Sequence, residues 1–136
     1  MSDAAIVRTS VTLAVAGAAI AGYLTSTHYA DETIACPTGG CETVQASSYA
    51  VVAGVPVALI GLLGYVLILG ALRLPRDTGR LLVFVAALTG AIFSVYLMGV
   101  QAFELDAFCA WCVASDAIML ALASLGALAV WRADTV

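Results

Sequence analysis

Long uncharged stretches, broken by short charged ones, organise this chain. Between Arg8 and Asp31 lie 22 uncharged residues, and between Glu42 and Arg73 lie 30. Arg80 and Glu104 bracket 23 more, while Asp106 and Arg132 bracket 25 that are interrupted only by Asp116. A membrane-spanning helix needs about 20 predominantly apolar residues, so each stretch holds one helix and none comfortably holds two. The pattern predicts four transmembrane helices near Thr9–Leu24, Val55–Leu72, Leu81–Gln101 and Cys109–Trp131. The expected fold is an all-α membrane four-helix bundle, a single domain over residues 1–136. Gly17, Ala18, Ala19 and Gly22, with Gly61, Gly64, Gly90 and Ala91, are the small residues that let such helices pack closely.

The basic residues set the expected orientation. Arg8 precedes the first helix; Arg73, Arg76 and Arg80 lie in or beside the loop between helices 2 and 3; Arg132 follows the fourth. In a four-helix chain these positions share one face, and the positive-inside rule makes that face cytoplasmic. Both termini are then cytoplasmic, and the segments near 25–54 and 102–108 face outward with only acids: Asp31, Glu32, Glu42, Glu104 and Asp106. The first helix resembles a signal peptide in its basic start and apolar run. Cleavage after Ala30, however, would put His28 where a small residue is required.

Composition narrows the picture further. The 136 residues are 63% hydrophobic and 10% charged, with mean hydropathy +1.08. A soluble domain is roughly 45–50% apolar and about 25% charged, so the solvent of this chain is membrane lipid. A net charge of −4 and an isoelectric point near 4.5 exclude a nucleic-acid partner, which would need a basic surface.

The long outward segment Thr25–Gly54 contains Pro37, Gly39 and Gly40 and little that reads as strand; Glu42–Ala53 could form a half-helix at the interface. All four cysteines fall on the outward side: Cys36 and Cys41 in this segment, and Cys109 and Cys112 in Cys-Ala-Trp-Cys at the start of the last helix. That compartment favours disulfides. Three chemistries fit: two structural staples, a four-cysteine zinc site, or two redox-active pairs. The spacing favours the last, because a first cysteine at a helix N-terminus is stabilised as a thiolate and a second one turn deeper can close a disulfide with it. Glu104 and Asp106 nearby oppose thiolate formation.

Two blocks carry a family resemblance. The first is Cys41-Glu-Thr-Val44-Gln-Ala-Ser47-Ser-Tyr49-Ala50, continuing to Gly54-Val-Pro56 and Gly61-Leu-Leu-Gly-Tyr65; the second is Cys109-Ala-Trp-Cys112. Together they resemble the vitamin K epoxide reductase family in its microbial, disulfide-forming branch, over about Thr9 to Trp131. The other family of four-helix, quinone-linked thiol oxidases keeps its Cys-x2-Cys in the first outward loop, the reverse of the order here.

The resemblance implies a mechanism. Cys36 and Cys41 take electrons from a thioredoxin-fold donor; Cys41 attacks a Cys109–Cys112 disulfide at Cys109; Cys112 faces a quinone of the menaquinone or ubiquinone class. Many microbial relatives carry a fused thioredoxin-like domain, and with the chain ending at Val136 a separate partner is expected. Ser47 and Tyr49 match the family block and are candidates for the quinone pocket, with helix capping and interface anchoring as their alternatives; Leu97 and Gln101 on helix 3 are candidates for its wall. Animal relatives bind the quinone with a tyrosine four residues beyond the second cysteine, where this chain has Asp116, and with a helix-2 asparagine that aligns with Val57. An intramembrane carboxylate is expected to be functional, here as hydrogen-bond partner or proton donor to the quinone; the alternative is an Asp bonded to a Ser or Thr of a neighbouring helix. His28, Trp111 and Trp131 read as interfacial residues. A different class of protein also fits: a structural or assembly membrane protein with two stapled outward segments.

Overall fold

A computed structural model of the chain describes residues 2–30, 35–36 and 39–134. Asp31, Glu32 and Pro37, named above, lie outside the described residues. Five α-helices are present among the described residues: α1 (Asp3–Ala30), α2 (Cys41–Ala46), α3 (Val57–Ala71), α4 (Arg76–Gly99) and α5 (Ala110–Asp134). Three of them, α1, α4 with its extension to Glu104, and α5, are long and apolar enough to cross a membrane, with mean hydropathies of 1.7, 2.3 and 2.0. The fourth apolar helix, α3, is shorter at 15 residues. This is a membrane helical bundle.

The observed boundaries differ from the expected ones for local reasons. α1 runs from Asp3 to Ala30, beyond the Thr9–Leu24 expected. Ser2 Oγ accepts the Ala5 N–H at its start, and Thr25 and Thr27 near its end donate back to the Ala21 and Leu24 carbonyls. Polar residues thus satisfy themselves on the helix instead of ending it. Arg76 and Arg80 sit in the first turns of α4 and not in a loop, because Pro75 starts that helix directly. α3 begins after a small hairpin that the sequence pattern did not anticipate. Val51–Val52 (β1) pairs antiparallel with Val55–Pro56 (β2), and Ala53 and Gly54 turn between them with φ of +52° and +83°. Two consecutive left-handed residues are what a two-residue hairpin turn requires. The expected half-helix Glu42–Ala53 is therefore divided among α2, a 3-10 turn at Ser48–Ala50 and β1. At its far end α4 passes into a π-turn, Val100–Glu104, in which the Leu105 N–H reaches the Val100 carbonyl at 3.0 Å.

The bundle core is built from small residues. On α1, Ile6, Ser10, Ala14, Gly17, Ala21 and Leu24 form one buried stripe, and on α4 Gly79, Val83, Ala87, Ala91 and Ser94 form another. Many of the large apolar residues point outward: Leu63 is 61% exposed and Ile92 65%. In lipid this costs nothing, and close helix approach comes from small side chains. Tyr65 is the largest fully buried side chain; its ring lies where a Cβ on Gly17 would be, which only glycine allows. Its hydroxyl donates to the Ser115 carbonyl at 2.8 Å and so ties α3 to α5.

One end of the bundle is closed by ions. Asp3 pairs with Arg80 at 3.3 Å, Arg132 at 3.6 Å and Arg76 at 4.0 Å. This brings the start of α1, the start of α4 and the end of α5 together. The cysteine segments are at the opposite end.

Candidate functional site

The first cysteine pair is held by α2 and its approach. Cys36 and Cys41 are joined in a disulfide, with Cα atoms 5.9 Å apart. Gly39, at φ +79°, bends the chain back, and Gly40 lies against the Phe108 backbone so closely that a Cβ there would overlap the Phe108 carbonyl oxygen. Cys41 at the start of α2 is thereby pressed down among Leu24, Val44 and Cys109 in one buried cluster. Cys41 is fully buried, whereas Cys36 is half-buried.

The second pair sits at the start of α5, as its spacing predicts. Both thiols are free, so the described residues hold one disulfide staple and not two. The disulfide also uses two of the four thiolates that a four-cysteine zinc site needs. Cys109 immediately precedes the helix. Its N–H donates to Gln101 Oε1 at 2.9 Å, and its sulfur accepts the Cys112 N–H at 3.3 Å. Gln101 itself is buried in the π-turn, where the extra residue turns its amide toward Cys109. The hydrogen bond from the Cys112 thiol holds the Cys109 thiol below the ordinary range, at about 7, against the opposing effect of burial. Hydrogen bonds from the Cys112 and Trp111 backbone and from Gln45 act in the same direction. The local hydrogen bonds, more than the acids Glu104 and Asp106, decide this thiol's acidity.

Cys112 opens onto a cavity of about 500 Å³ between α1, α3, α4 and α5. The sequence-predicted residues Ser47, Tyr49, Val57, Leu97, Gln101, Cys112 and Asp116 all line it. The wall is mostly apolar, and Asp116 is its buried charged residue. Asp116 is 6% exposed, with Ser94 of α4 beside its carboxyl; its Oδ2 has no hydrogen-bond partner among the described residues. Both readings of Asp116 thus have a footing, since it has a serine neighbour and also an unsatisfied oxygen. Ser47 lines the cavity while its hydroxyl donates to the Val44 carbonyl and closes the end of α2. Tyr49 is 37% exposed at the cavity rim, and Val57 presents an apolar side chain.

A model of the vitamin K epoxide reductase family matches residues 8–127. The chain belongs to that family. Membership makes it a membrane-embedded redox enzyme of the thiol oxidoreductase kind, in a family that works with quinones and a redox partner. The match spans both cysteine pairs and the whole cavity lining.

Three residues outside the sequence-based site complete the arrangement of this family member. Gln45 donates from its side-chain amide to Cys112 Sγ at 3.1 Å. It stands one helical turn beyond Cys41, a spacing that could have flagged it. Tyr23 of α1 packs its ring against Trp111 at 5.3 Å, and Trp111 Nε1 donates to the Ala35 carbonyl at 2.6 Å. Trp111 is therefore half-buried and engaged with the loop. His28 is exposed, edge-on to Tyr29, and Trp131 is 65% exposed beside Arg132.

Proposed function

We propose that this chain is a quinone-dependent thiol oxidase of the cell membrane that takes electrons from a thioredoxin-fold partner and drives disulfide formation in exported proteins. The observation that carries this reading is the placement of Cys112 between two environments. One side of the Cys109–Cys112 turn packs on the buried Cys41, and the other opens into an apolar cavity with an unsatisfied carboxyl oxygen. A dithiol so placed can exchange with one disulfide and pass electrons to a lipid-soluble acceptor.

In the proposed cycle a partner thiolate attacks Cys36, the more accessible sulfur of the Cys36–Cys41 disulfide, and Cys41 leaves as thiolate. The partner's second thiol resolves that link, which leaves the partner oxidised and Cys36 and Cys41 reduced. Cys41 then attacks Cys109 of a Cys109–Cys112 disulfide, and Cys112 leaves; Cys36 attacks Cys41, and Cys109 leaves. The arrangement with Cys36–Cys41 bonded and Cys109 and Cys112 free is the product of this internal transfer. Two electrons and two protons then pass from Cys109 and Cys112 to a quinone of the menaquinone or ubiquinone class as their disulfide re-forms. Gln45 donates to the Cys112 sulfur during this step, and Asp116 offers its carboxyl to a quinone oxygen. Ser47, Tyr49, Val57, Leu97 and Gln101 shape the pocket.

The proposed orientation has both termini in the cytoplasm and the cysteines outside. The arginine-rich end closed by Asp3 supports it.

The test is purified protein with dithiothreitol and a soluble quinone, followed by quinone absorbance. Turnover is expected, and Cys112→Ala abolishes it. Once dithiothreitol is removed, the free Cys109 of that variant attacks the Cys36–Cys41 disulfide at Cys41, so that a Cys41–Cys109 link forms and Cys36 is released. Quinone reduction that persisted in Cys112→Ala would overturn the mechanism.

A further inference from the structure

Ala35 immediately precedes Cys36, and side chains remote in sequence hold both of its backbone polar groups. Its N–H donates to the Tyr23 hydroxyl at 3.0 Å, and its carbonyl accepts the Trp111 indole N–H at 2.6 Å. The two rings meet at 5.3 Å with an interplanar angle of 59°. Ala35 itself is exposed, so water could satisfy these groups equally well. The contacts instead fix the direction in which the chain enters Cys36.

That direction matters for chemistry. Thiol–disulfide exchange needs the attacking thiolate in line with the bond it breaks, and holding reactants in register raises the effective concentration by orders of magnitude. Gly40 against Phe108 anchors the Cys41 side of the loop. Tyr23 and Trp111 anchor the Cys36 side, and Trp111 does so from between the two cysteines of the membrane pair. Neither Tyr23 nor Trp111 lines the cavity.

We infer that Tyr23 and Trp111 form a latch. They are positioning residues that seat the Cys36–Cys41 loop over Cys109 for the internal transfer and partly shield Cys36 from external thiols. The inference rests on the electron path proposed above. In the step it serves, the Cys41–Cys109 bond forms as Cys109–Cys112 breaks; Cys36–Cys41 then re-forms as Cys41–Cys109 breaks. Two electrons move from the loop dithiol to the membrane disulfide, and no other oxidant is involved.

The test uses the full chain in a Cys36→Ser background, where the Cys41–Cys109 link is not resolved. Protein reduced and freed of dithiothreitol is mixed with a soluble quinone, quenched in acid, and the linked peptides are timed by mass spectrometry. Tyr23→Phe removes the acceptor of the Ala35 N–H and Trp111→Phe removes the donor to the Ala35 carbonyl, while each keeps an aromatic ring. Each is expected to slow link formation about tenfold, equivalent to about 1.4 kcal/mol. In the otherwise native chain the same substitutions speed reduction of the Cys36–Cys41 disulfide by dithiothreitol severalfold. A residue that merely stabilised the fold would not move the two rates in opposite directions. A third measurement needs no redox chemistry: deuterium exchange at the Ala35 amide rises about tenfold in Tyr23→Phe. If the parent links Cys41 to Cys109 and both variants link equally fast, the latch is overturned and the electron path stands. If the parent forms no such link, the electron path itself fails and the latch's role with it.

Discussion

The Gln45 side-chain amide donates to Cys112 Sγ at 3.1 Å, across 67 positions of sequence. This contact joins α2, the loop helix that begins at Cys41, to the sulfur that faces the cavity. A hydrogen bond to a charged group is worth about 1.5–3 kcal/mol, so the donor should matter most when Cys112 is a thiolate. Gln45→Leu is expected to lower the rate of quinone reduction by roughly 10- to 100-fold. Gln45→Glu, which puts an anion beside the same sulfur, should be at least as slow above neutral pH. Stopped-flow oxidation of the reduced protein by a soluble quinone reads both variants.

Cys109 sets the pH dependence. Its thiol is held at about 7 against an ordinary value of 9.0, chiefly by the hydrogen bond from the Cys112 thiol. The lowered value means that Cys109 is largely thiolate at pH 8 and becomes protonated as pH falls through about 7. Ultraviolet thiolate absorbance should titrate with that midpoint, and turnover should decline on the acid side of it. Cys112→Ala removes the main cause and should move the Cys109 midpoint upward.

Asp116 should show a conflict between stability and function. Its buried Oδ2 has no partner among the described residues, and such a group costs about 1–3 kcal/mol. Asp116→Val is expected to raise the thermal midpoint in detergent while cutting quinone reduction by tenfold or more. Unchanged quinone reduction would remove Asp116 from the pocket's chemistry and leave it as a structural neighbour of Ser94.

Gly40→Ala tests how closely the two cysteine segments must meet. The new Cβ would strike the Phe108 carbonyl oxygen, and a backbone atom cannot yield as a flexible side chain does. Overpacking of this kind costs about 1–3 kcal/mol. The strain should push α2, and Cys41 with it, away from Cys109. Formation of the Cys41–Cys109 link is expected to slow by at least tenfold, while direct oxidation of Cys109 and Cys112 by quinone changes far less.

Much of the fold was legible because charge is expensive in hydrocarbon. Arg8, Arg80, Glu104 and Arg132 bound the long helices to within a few residues, and the clustering of arginines correctly put one set of helix ends together. What blurred the boundaries was uncharged and polar: Thr25 and Thr27 continue α1 by bonding to their own helix, and the Ala53-Gly54 turn replaces the expected end of the half-helix. Of the site, Cys36, Cys41, Cys109 and Cys112 were legible as two local pairs. Of the cavity residues, Ser47, Tyr49 and Val57 were reached through family resemblance, whereas Asp116 stood out as a charge inside an apolar helix and Leu97 and Gln101 by their place near the outward end of theirs.

The sequence by itself determined the solvent, the number of apolar helices and the two cysteine pairs, because each depends on composition or spacing along a short stretch. Only the tertiary structure decided which face of each helix turns inward. In water an apolar stripe marks the buried face, but here Leu63 and Ile92 are as apolar as Ile68 and Leu122 and face outward. The buried face is chosen by fit between small residues and their partners, as Gly17 receives the ring of Tyr65. The same reason hides Gln45 beside Cys112 and Trp111 on Ala35: these contacts join segments that meet only after the helices have packed.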